Sequence, residues 1–434
     1  MLPEIKQKKE AYLDHAAATY LAPEVEAVMA PFGQKLFGNP SSIHDSGRAA
    51  KAAIAEARSQ IAKILNAVPE EIIFTASGTM SDNLAILGLA RANKSKGRHL
   101  IATAIEHHAV LKPFEYLSQK EGFEVTILSV DHDGLVRLED LEKAIRPETI
   151  LVSVMYANNE IGTIQPIAEI GELVRRLNKI RAPHQLPRIY FHTDACQAAG
   201  ALSLDVKDLG VDLLTLNGSK IYGPKGSGVL FVARGVQLEP LILGGGQERS
   251  LVAGTENVAG IVGLATALAL AQKNRETENQ RLINLRDKLI AGVLQRIPKS
   301  RLNGHPTKRL PNNANVTILD VEGEAMLLYL NEYGIYAATG SACDSATLDP
   351  SHVILALGLP YEFAHGSMRF ALGRRTTSED IDYVLEILPA IVKTLREVSP
   401  VKLEMDPALN KHAKILQHAP TLTITTYPLT RRNK

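Results

Sequence analysis

Lys220 is the residue of this 434-residue chain whose surroundings most directly suggest covalent chemistry. It lies on a short loop, NGSKIYGPKG from Asn217 to Gly226, between the apolar runs 211–216 and 228–232. Lysine is rarely buried without a partner, and its amine can form a Schiff base with a carbonyl compound such as pyridoxal phosphate. The alternative is an ordinary surface lysine in a turn rich in glycine and proline. The loop alone does not distinguish a Schiff-base lysine from a surface lysine, so other segments of the sequence are needed.

The segment FTASGTMSDN, from Phe74 to Asn83, links a strand-like run to a helical pattern through small and hydroxyl residues. Backbone N–H groups at the start of a helix, with hydroxyl groups beside them, suit a phosphate. A plain cap by serine or threonine is the alternative. The segment is neither a Walker A motif nor a Rossmann fingerprint, so nucleotide binding is not favoured.

Polar side chains also follow three other strand-like runs, and the carboxyl ends of strands form the site in doubly wound folds. His107 could stack on a flat cofactor ring or move protons, or it could cap a helix. The pair Asn158 and Asn159 could hold a ring hydroxyl or a substrate carboxylate, or form an ordinary turn. Asp194 could pair with a pyridinium nitrogen, the contact that makes pyridoxal phosphate an electron sink, or cap the next helix.

Cysteine and arginine supply the remaining candidates. Cys343 lies in a small, polar loop, GSACDSA, and an accessible loop cysteine is a candidate nucleophile if its pKa is lowered. Cys196, flanked by small residues after a strand, is predicted to be a packed side chain. Arg369 lies within an apolar stretch and is expected to bind a carboxylate of the protein or of a substrate.

The fold that must position these residues is predicted from alternating patterns. Seven apolar, β-branched-rich runs occupy 71–75, 99–103, 124–130, 149–156, 188–193, 211–216 and 228–232. A helical pattern at 48–65 precedes them, and others lie between them at 81–93, 109–121 and 167–179. This alternation predicts an α/β fold with a mostly parallel seven-stranded sheet flanked by helices.

We predict two domains and an extension. Residues 16–260 should form the large α/β domain, residues 1–15 and 261–400 a smaller α+β domain with the cysteine loop, and residues 401–434 a C-terminal extension. In the smaller domain we expect one long helical stretch over 261–296, a strand near 315–319, and helices near 324–332 and 378–398. The alternating run 421–425 predicts a short edge strand in the extension.

Composition is that of an ordinary globular protein, with 45% hydrophobic and 22% charged residues. The 48 basic and 47 acidic residues give a formal net charge of +1, which provides no electrostatic case for nucleic acid as a partner. Two cysteines make neither a disulfide framework nor a zinc site, and a reducing, cytoplasmic compartment is the simplest expectation. We see no targeting segment, and the apolar run 261–271 is too short to span a membrane.

The order and wording of these motifs resemble the cysteine desulfurases of the NifS/IscS type, within the class V aminotransferase group of pyridoxal-phosphate enzymes. The matching segments include YLD from Tyr12, FGNPSS from Phe37, EH from Glu106, NNEIG from Asn158, KIYGPKG from Lys220 and GSAC from Gly340. The resemblance runs from about Tyr12 to Pro400. It implies a fold-type-I homodimer that takes sulfur from L-cysteine, releases L-alanine and holds the sulfur as a persulfide.

The resemblance also implies roles for particular residues. Lys220 matches the Schiff-base lysine, Asp194 the partner of the pyridinium nitrogen, and His107 the stacking and proton-handling histidine. Gln197 and Asn159 match contacts to the ring oxygen and the substrate.

Further positions follow from the same resemblance. Arg369 matches the arginine that holds the substrate carboxylate, and Cys343 the persulfide cysteine. Thr255 matches a phosphate ligand given across the dimer interface. Phosphate contacts are expected from Gly78, Thr79, Asn217 and Ser219.

Four positions depart from the family pattern. Ser219 stands where histidine is usual, Met80 where glutamate is usual, and Val252 where arginine is usual. Asp344 follows the cysteine in place of threonine and would disfavour a thiolate. These changes bear on cofactor affinity and turnover more than on reaction type.

We therefore expect a desulfurase that passes sulfur to acceptor proteins, such as an iron–sulfur scaffold, for cluster assembly or for tRNA or cofactor thiolation. We expect no resident metal beyond a transient iron–sulfur contact through Cys343, and no direct nucleic-acid or membrane partner. Two alternatives stay open: a selenocysteine lyase or another class V lyase or transaminase, and a catalytically weak sulfur-relay scaffold.

Overall fold

A computed structural model describes residues 9–340, 350–400, 402–403 and 405 of the chain. Its strands in chain order are β1 (Ala11–Tyr12), β2 (Ile72–Thr75), β3 (His99–Thr103), β4 (Glu124–Leu128), β5 (Thr149–Ser153), β6 (Tyr190–Asp194), β7 (Leu213–Asn217), β8 (Gly228–Val232), β9 (Ser300–Leu302), β10 (Asn313–Ile318), β11 (Ile335–Tyr336) and β12 (Ser367–Ala371).

The α-helices are α1 (Pro23–Met29), α2 (Pro31–Gln34), α3 (Asp45–Leu65), α4 (Gly78–Asn83), α5 (Leu89–Asn93), α6 (His108–Glu121), α7 (Leu138–Ala144), α8 (Ile167–Arg181), α9 (Val206–Leu209), α10 (Val258–Lys273), α11 (Arg275–Arg296), α12 (Gly323–Glu332), α13 (His352–Ala356), α14 (Tyr361–His365) and α15 (Ser378–Val398). A π-helical turn, Leu84–Gly88, joins α4 to α5, and short 3₁₀ turns occupy Pro69–Glu71, Ala182–His184, Gly218–Lys220 and Gln247–Ser250.

The large sheet has the strand order β2-β8-β7-β6-β5-β3-β4. Strands β3 to β7 pair in parallel, whereas β8 is antiparallel to both of its neighbours, β2 and β7. This confirms the predicted mostly parallel seven-stranded sheet. Because β2 has the same direction as β7, the carboxyl ends of β2, β3, β5, β6 and β7 lie along one edge. The predicted site residues come directly after these strands, so they lie at this edge of the sheet.

The sheet is buried because helices cover both of its faces. Every residue of β3, β5, β6 and β8 is buried, which is why each of these strands has apolar residues at successive positions instead of alternating ones. Helix α3 presents Ile54, Ile61 and Leu65 to one apolar cluster, at the spacing of one helical face. A second cluster around Phe114 fills the other face. Burying side chains of this size stabilises the fold by about 1.5–3 kcal/mol each.

The helical stretch predicted over 261–296 is two helices, because the chain breaks at Asn274 between α10 and α11. Helix α10 packs against α3 and α1, whereas α11 packs against α15 and β10. A sheet of β12-β10-β9 and the parallel pair β1-β11 complete the region around α11.

We propose that the smaller domain begins near Asn274 instead of residue 261, because the apolar residues of α10 belong to the cluster that covers the large sheet. The predicted extension is described only at 402–403 and 405, where Leu403 N donates to Asp320 Oδ1 at 2.6 Å. The strand predicted at 421–425 lies outside the described residues. Among the described residues, no helix is both long and apolar enough to cross a bilayer.

Glu248 ties helix α3 to the edge strand that leads into the predicted phosphate segment. Its carboxylate accepts two hydrogen bonds from Arg58, at 2.5 and 2.9 Å, and a third from Phe74 N at 2.8 Å. The side chain of Glu248 is 5% exposed and that of Arg58 is 20% exposed. Removing one partner from such a pair leaves the other charge poorly compensated.

We therefore predict that Glu248→Ala lowers the free energy of unfolding by about 3 kcal/mol, measured by urea denaturation. The control is Asp45→Ala, which removes an exposed ion pair with Arg48 and should change the free energy of unfolding by less than about 1 kcal/mol. Equal effects of the two substitutions would contradict this account of Glu248.

Candidate active site

The turn that carries Lys220 is held by close backbone packing. It follows β7 directly as the 3₁₀ turn Gly218–Lys220. A side chain at Gly218 would lie 2.5 Å from Ser227 Oγ and 2.7 Å from Pro224 O, so only glycine fits there. Lys220 Nζ donates a hydrogen bond to Ala17 O. The lysine also lines a cavity of about 440 Å³.

The N-terminal segment brings three predicted site residues together. Asp14 Oδ1 pairs with Arg369 Nη2 at 2.8 Å, Ala16 O accepts from Gln197 Nε2 at 3.0 Å, and Ala17 O accepts from Lys220. The carboxylate-binding arginine, a ring contact and the Schiff-base lysine of the predicted site therefore surround one short stretch of backbone.

Asp194 ends β6 and is buried with other carboxyl groups. Its Oδ1 accepts a hydrogen bond from Cys196 N at 2.9 Å. Asp82 and Glu106 lie close enough to Asp194 to interact electrostatically with it, and both are fully buried. Within the described chain, neither oxygen of Asp82 and only Oε1 of Glu106 has a hydrogen-bond partner.

Burial sets the protonation of this carboxyl cluster. It raises the pKa of Glu106 to about 8, and burial together with the neighbouring Asp194 raises the pKa of Asp82 well above its usual range. His192 Nε2 lies 3.5 Å from Asp82 Oδ1, but burial lowers the pKa of this histidine to about 4 and keeps it neutral. The cluster of Asp82, Glu106, Asp194 and His192 therefore has no positive charge of its own.

The start of helix α4 approaches the lysine turn through a glycine. A side chain at Gly78 would lie 2.7 Å from Cys196 Sγ and 3.1 Å from Asn217 Nδ2. Ser77 caps the helix, because its hydroxyl accepts from Met80 N at 3.1 Å. Thr79 is the next residue of the helix. The structure thus brings Gly78 and Asn217 of the predicted phosphate contacts together.

Ser219 lies beside Asn217, with Ser219 Oγ 3.4 Å from Asn217 Oδ1. Thr255 is on an exposed loop and lines a separate cavity of about 250 Å³ with Ala76, Met80 and Val252. Two of the four positions that depart from the family pattern, Met80 and Val252, therefore face the same cavity.

His107 caps helix α6, and its Nδ1 accepts from Ala109 N at 3.1 Å. The predicted helix-capping alternative is thus realised through Nδ1. His107 is half-buried, whereas the preceding Glu106 is completely buried.

The two asparagines of the NNEIG motif have different surroundings. Asn158 is buried and holds the turn: Nδ2 donates to Ile105 O at 2.9 Å, and Oδ1 accepts from Glu160 N and Ile161 N. Asn159 is half-buried, and its backbone O accepts from Arg369 Nη1 at 3.2 Å. Asn158 is therefore structural, and Asn159 is the one placed beside Arg369.

The two cysteines also differ. Cys196 is buried, as predicted, and burial raises the pKa of its thiol well above the usual range. It is therefore a packed thiol with little thiolate character. Cys343 and Asp344 lie outside the described residues.

Sequence reasoning missed Asp82 and Asp14. Asp82 lies four residues after Gly78 and four before Ile86, which places it on the buried face of its helix. That spacing was the signal for a buried acid. Asp14 follows the buried Leu13 within the YLD motif, but nothing in the sequence links it to a residue 355 positions away.

The donor and acceptor set fits pyridoxal phosphate. Lys220 offers an amine, and the buried carboxyl group of Asp194 suits a pyridinium N–H. The start of α4 at Gly78 lies beside Asn217, and backbone N–H groups at a helix start suit a phosphate. Together with the seven-stranded sheet, these features define a fold-type-I enzyme of the pyridoxal-phosphate class.

Comparison with known proteins gives the family. Residues 11–384 match the aminotransferase class-V family, and the chain belongs to it. The chain is 53% identical to "Cysteine desulfurase IscS" of Clostridium botulinum over 91% of this chain and 97% of that protein. It is equally identical to the protein of the same name from Methanosarcina thermophila, over 91% of this chain and 95% of that protein.

Solved structures agree with this assignment. A "NIFS-LIKE PROTEIN" superimposes with a TM-score of 0.82 and 35% identity, covering 89% of this chain and all of that one. A NifS-like protein from Rickettsia africae gives a TM-score of 0.77 at 32% identity, also over 89% of this chain and all of that one. The predicted resemblance to NifS/IscS-type enzymes of the class V group is therefore confirmed, and the protein is a pyridoxal-phosphate-dependent enzyme.

The raised pKa of Glu106 gives a pH-dependent prediction. Because its folded pKa of about 8 lies above the unfolded value of 4.5, the folded state keeps a proton that the unfolded chain loses. This contribution to stability is complete below pH 4.5 and falls as the pH rises towards 8. Glu106→Gln is always neutral, so its stability relative to the unchanged protein should rise by about 1.4 kcal/mol per pH unit across that window.

The measurement is the free energy of unfolding of both proteins at several pH values from 5 to 8. The matched control is Glu139→Gln, which makes the same substitution at an exposed position. A flat difference for Glu106→Gln would show that Glu106 is ionised in the folded protein.

Proposed function

We propose that the protein is a cysteine desulfurase that converts L-cysteine to L-alanine and passes the sulfur, as a persulfide on Cys343, to acceptor proteins. The observation that carries the proposal is the convergence of Arg369, Gln197 and Lys220 on the backbone of residues 14–17. Relatives of 53% identity that bear the name of this activity support it.

Each residue takes a role that its surroundings permit. Arg369 binds the substrate carboxylate, since a buried guanidinium is a strong and directional partner for it. Lys220 would hold the cofactor covalently through Nζ, and the same amine moves the α-proton of the substrate. His107 handles a proton at the carboxyl edge of the sheet, where the helix cap through Nδ1 orients its ring.

Pyridoxal 5'-phosphate, when bound, supplies the electron sink that stabilises negative charge on the substrate carbon. Asp194 would hold the ring nitrogen, Gln197 and Asn159 the ring oxygen and substrate, and Asn217 with Ser219, Gly78 and Thr79 the phosphate. Asp82 and Glu106 would keep the surroundings of Asp194 dry and neutral.

Sulfur transfer balances without an external oxidant or reductant. The sulfur of Cys343 forms an S–S bond with the substrate sulfur while the carbon–sulfur bond breaks. The electron pair of that bond stays with the carbon fragment, which takes up a proton and leaves as L-alanine. The acceptors we propose are an iron–sulfur scaffold and proteins of tRNA or cofactor thiolation.

We also propose a cytoplasmic homodimer. Three large apolar side chains support self-association, because Phe37, Ile43 and Leu243 are 75%, 90% and 83% exposed in the single chain. In the dimer, Thr255 would reach the phosphate of the partner subunit from its exposed loop.

The test of the reaction is alanine release from L-cysteine by purified, cofactor-saturated protein. Cys343→Ala should abolish repeated turnover while keeping the cofactor absorbance, because only the sulfur acceptor is lost. Cys196→Ser is the matched control and should keep turning over, since its thiol is buried and protonated. Absence of alanine from the unaltered, saturated protein would rule out the proposed reaction.

Ser219 gives a second prediction, on cofactor affinity. Ser219→His places a longer donor beside the proposed phosphate contacts, so the dissociation constant for pyridoxal phosphate should fall several-fold. Titration of cofactor-stripped protein, followed by absorbance, measures it. Ser219→Ala should weaken binding, and an unchanged or weaker affinity in Ser219→His would contradict a phosphate contact at this position.

A further inference from the structure

The segment Asp14–Ala22, which we call the strap, is fixed to both sides of the site by its backbone. Thr19 N and Oγ1 both donate to Ser219 O, and Tyr222 N donates to Thr19 Oγ1. At its other end, His15 N donates to Ala371 O of β12 at 3.1 Å. The strap therefore joins the strand of Arg369 to the turn of Lys220.

Asp14 is the acidic side chain that the strap places on Arg369. Its Oδ1 lies 2.8 Å from Arg369 Nη2, while Arg369 Nη1 donates to Asn159 O at 3.2 Å. This is the one ion pair of Arg369 among the described residues, and the arginine side chain is only 4% exposed. In such a buried place, one carboxylate already neutralises the guanidinium.

A substrate carboxylate must therefore compete with the Asp14 carboxylate for the guanidinium of Arg369. If Asp14 stays, two negative charges share one arginine at close range, and like charges in a poorly solvated site repel strongly. If Asp14 leaves, the ion pair at 2.8 Å is lost. In both cases Asp14 subtracts from the affinity for the incoming carboxylate.

The geometry favours movement of the Asp14 side chain and not of the strap. His15 is buried, and a side chain at Gly373 would lie 2.3 Å from the His15 ring, so the ring is clamped against the backbone. Tyr12 Oη also donates to Asp14 O and Ala18 O. The side chain of Asp14, by contrast, is 21% exposed, so its carboxylate can rotate towards water.

We propose that Asp14 is a built-in competitor that sets the affinity and selectivity of Arg369 for substrates with a carboxylate. It is a specificity-determining residue for the site and takes no part in bond making. The inference rests on the proposed function in one respect, that Arg369 receives the carboxylate of an amino-acid substrate.

The test compares two ligands that differ only at the carboxylate, L-alanine and L-alaninamide. Each is titrated into the cofactor-loaded protein, and binding is followed by the change in cofactor absorbance. Asp14→Asn keeps a hydrogen-bond acceptor for Arg369 but removes the competing charge. We expect it to bind L-alanine about tenfold more tightly than the unaltered protein and to bind L-alaninamide unchanged.

The matched control is Glu139→Gln, which removes an exposed carboxylate of α7, outside the residues named for the site. It should leave both dissociation constants unchanged. Steady-state kinetics of Asp14→Asn with L-cysteine should show a lower KM, since the gain is in binding of the carboxylate. Thermal unfolding of cofactor-free Asp14→Asn, with and without sodium propionate, gives a readout independent of catalysis. Propionate should stabilise this variant more than the unaltered chain.

Weaker binding of L-alanine by Asp14→Asn would overturn the proposal, because Asp14 would then orient Arg369 for substrate instead of competing. Equal changes for L-alanine and L-alaninamide would overturn it too, since the effect would not depend on the carboxylate. The proposed reaction is tested separately. Tighter L-alanine binding in a protein that releases no alanine from L-cysteine would support this inference and refute the desulfurase.

Discussion

The electrostatic constraint behind the site is the burial of three carboxyl groups at the carboxyl edge of the large sheet. Burial raises the pKa values of Asp82 and Glu106, so these two keep their protons near neutral pH. His192 contributes no charge, because burial lowers its pKa to about 4. None of these buried groups supplies a positive charge, and we propose that the ring nitrogen of pyridoxal phosphate is the partner of Asp194.

Sheet topology determines the position of Lys220. Most connections in the sheet are crossovers between parallel strands, but β7 and β8 are antiparallel neighbours joined by a short link. That link is short enough to be packed against α10 and the strap, and Gly218 leaves no room for a side chain. Lys220 therefore extends from a backbone that packing fixes at Gly218, and orientation of a reactive group contributes greatly to catalysis.

Local sequence patterns predicted much of the fold and part of the site. Runs such as 99–103 and 228–232 coincide with β3 and β8, and helix α15 occupies the predicted range 378–398. The break at Asn274 escaped prediction because neither proline nor glycine marks it. The separation of Asn158 from Asn159 also depends on tertiary contacts, since two adjacent, identical residues give no local signal.

The strap has a consequence for the order in which the protein is made and folded. Asp14 and Arg369 are 355 residues apart, and Ala17 and Lys220 are 203 apart. Asp14 and Ala17 therefore leave the ribosome long before the partners that they contact. Contacts of such large sequence separation form late, after local helices and sheets. The chain thus acquires its ligand-binding geometry in the final stage of folding, and no N-terminal fragment that ends before β12 can contain the complete site.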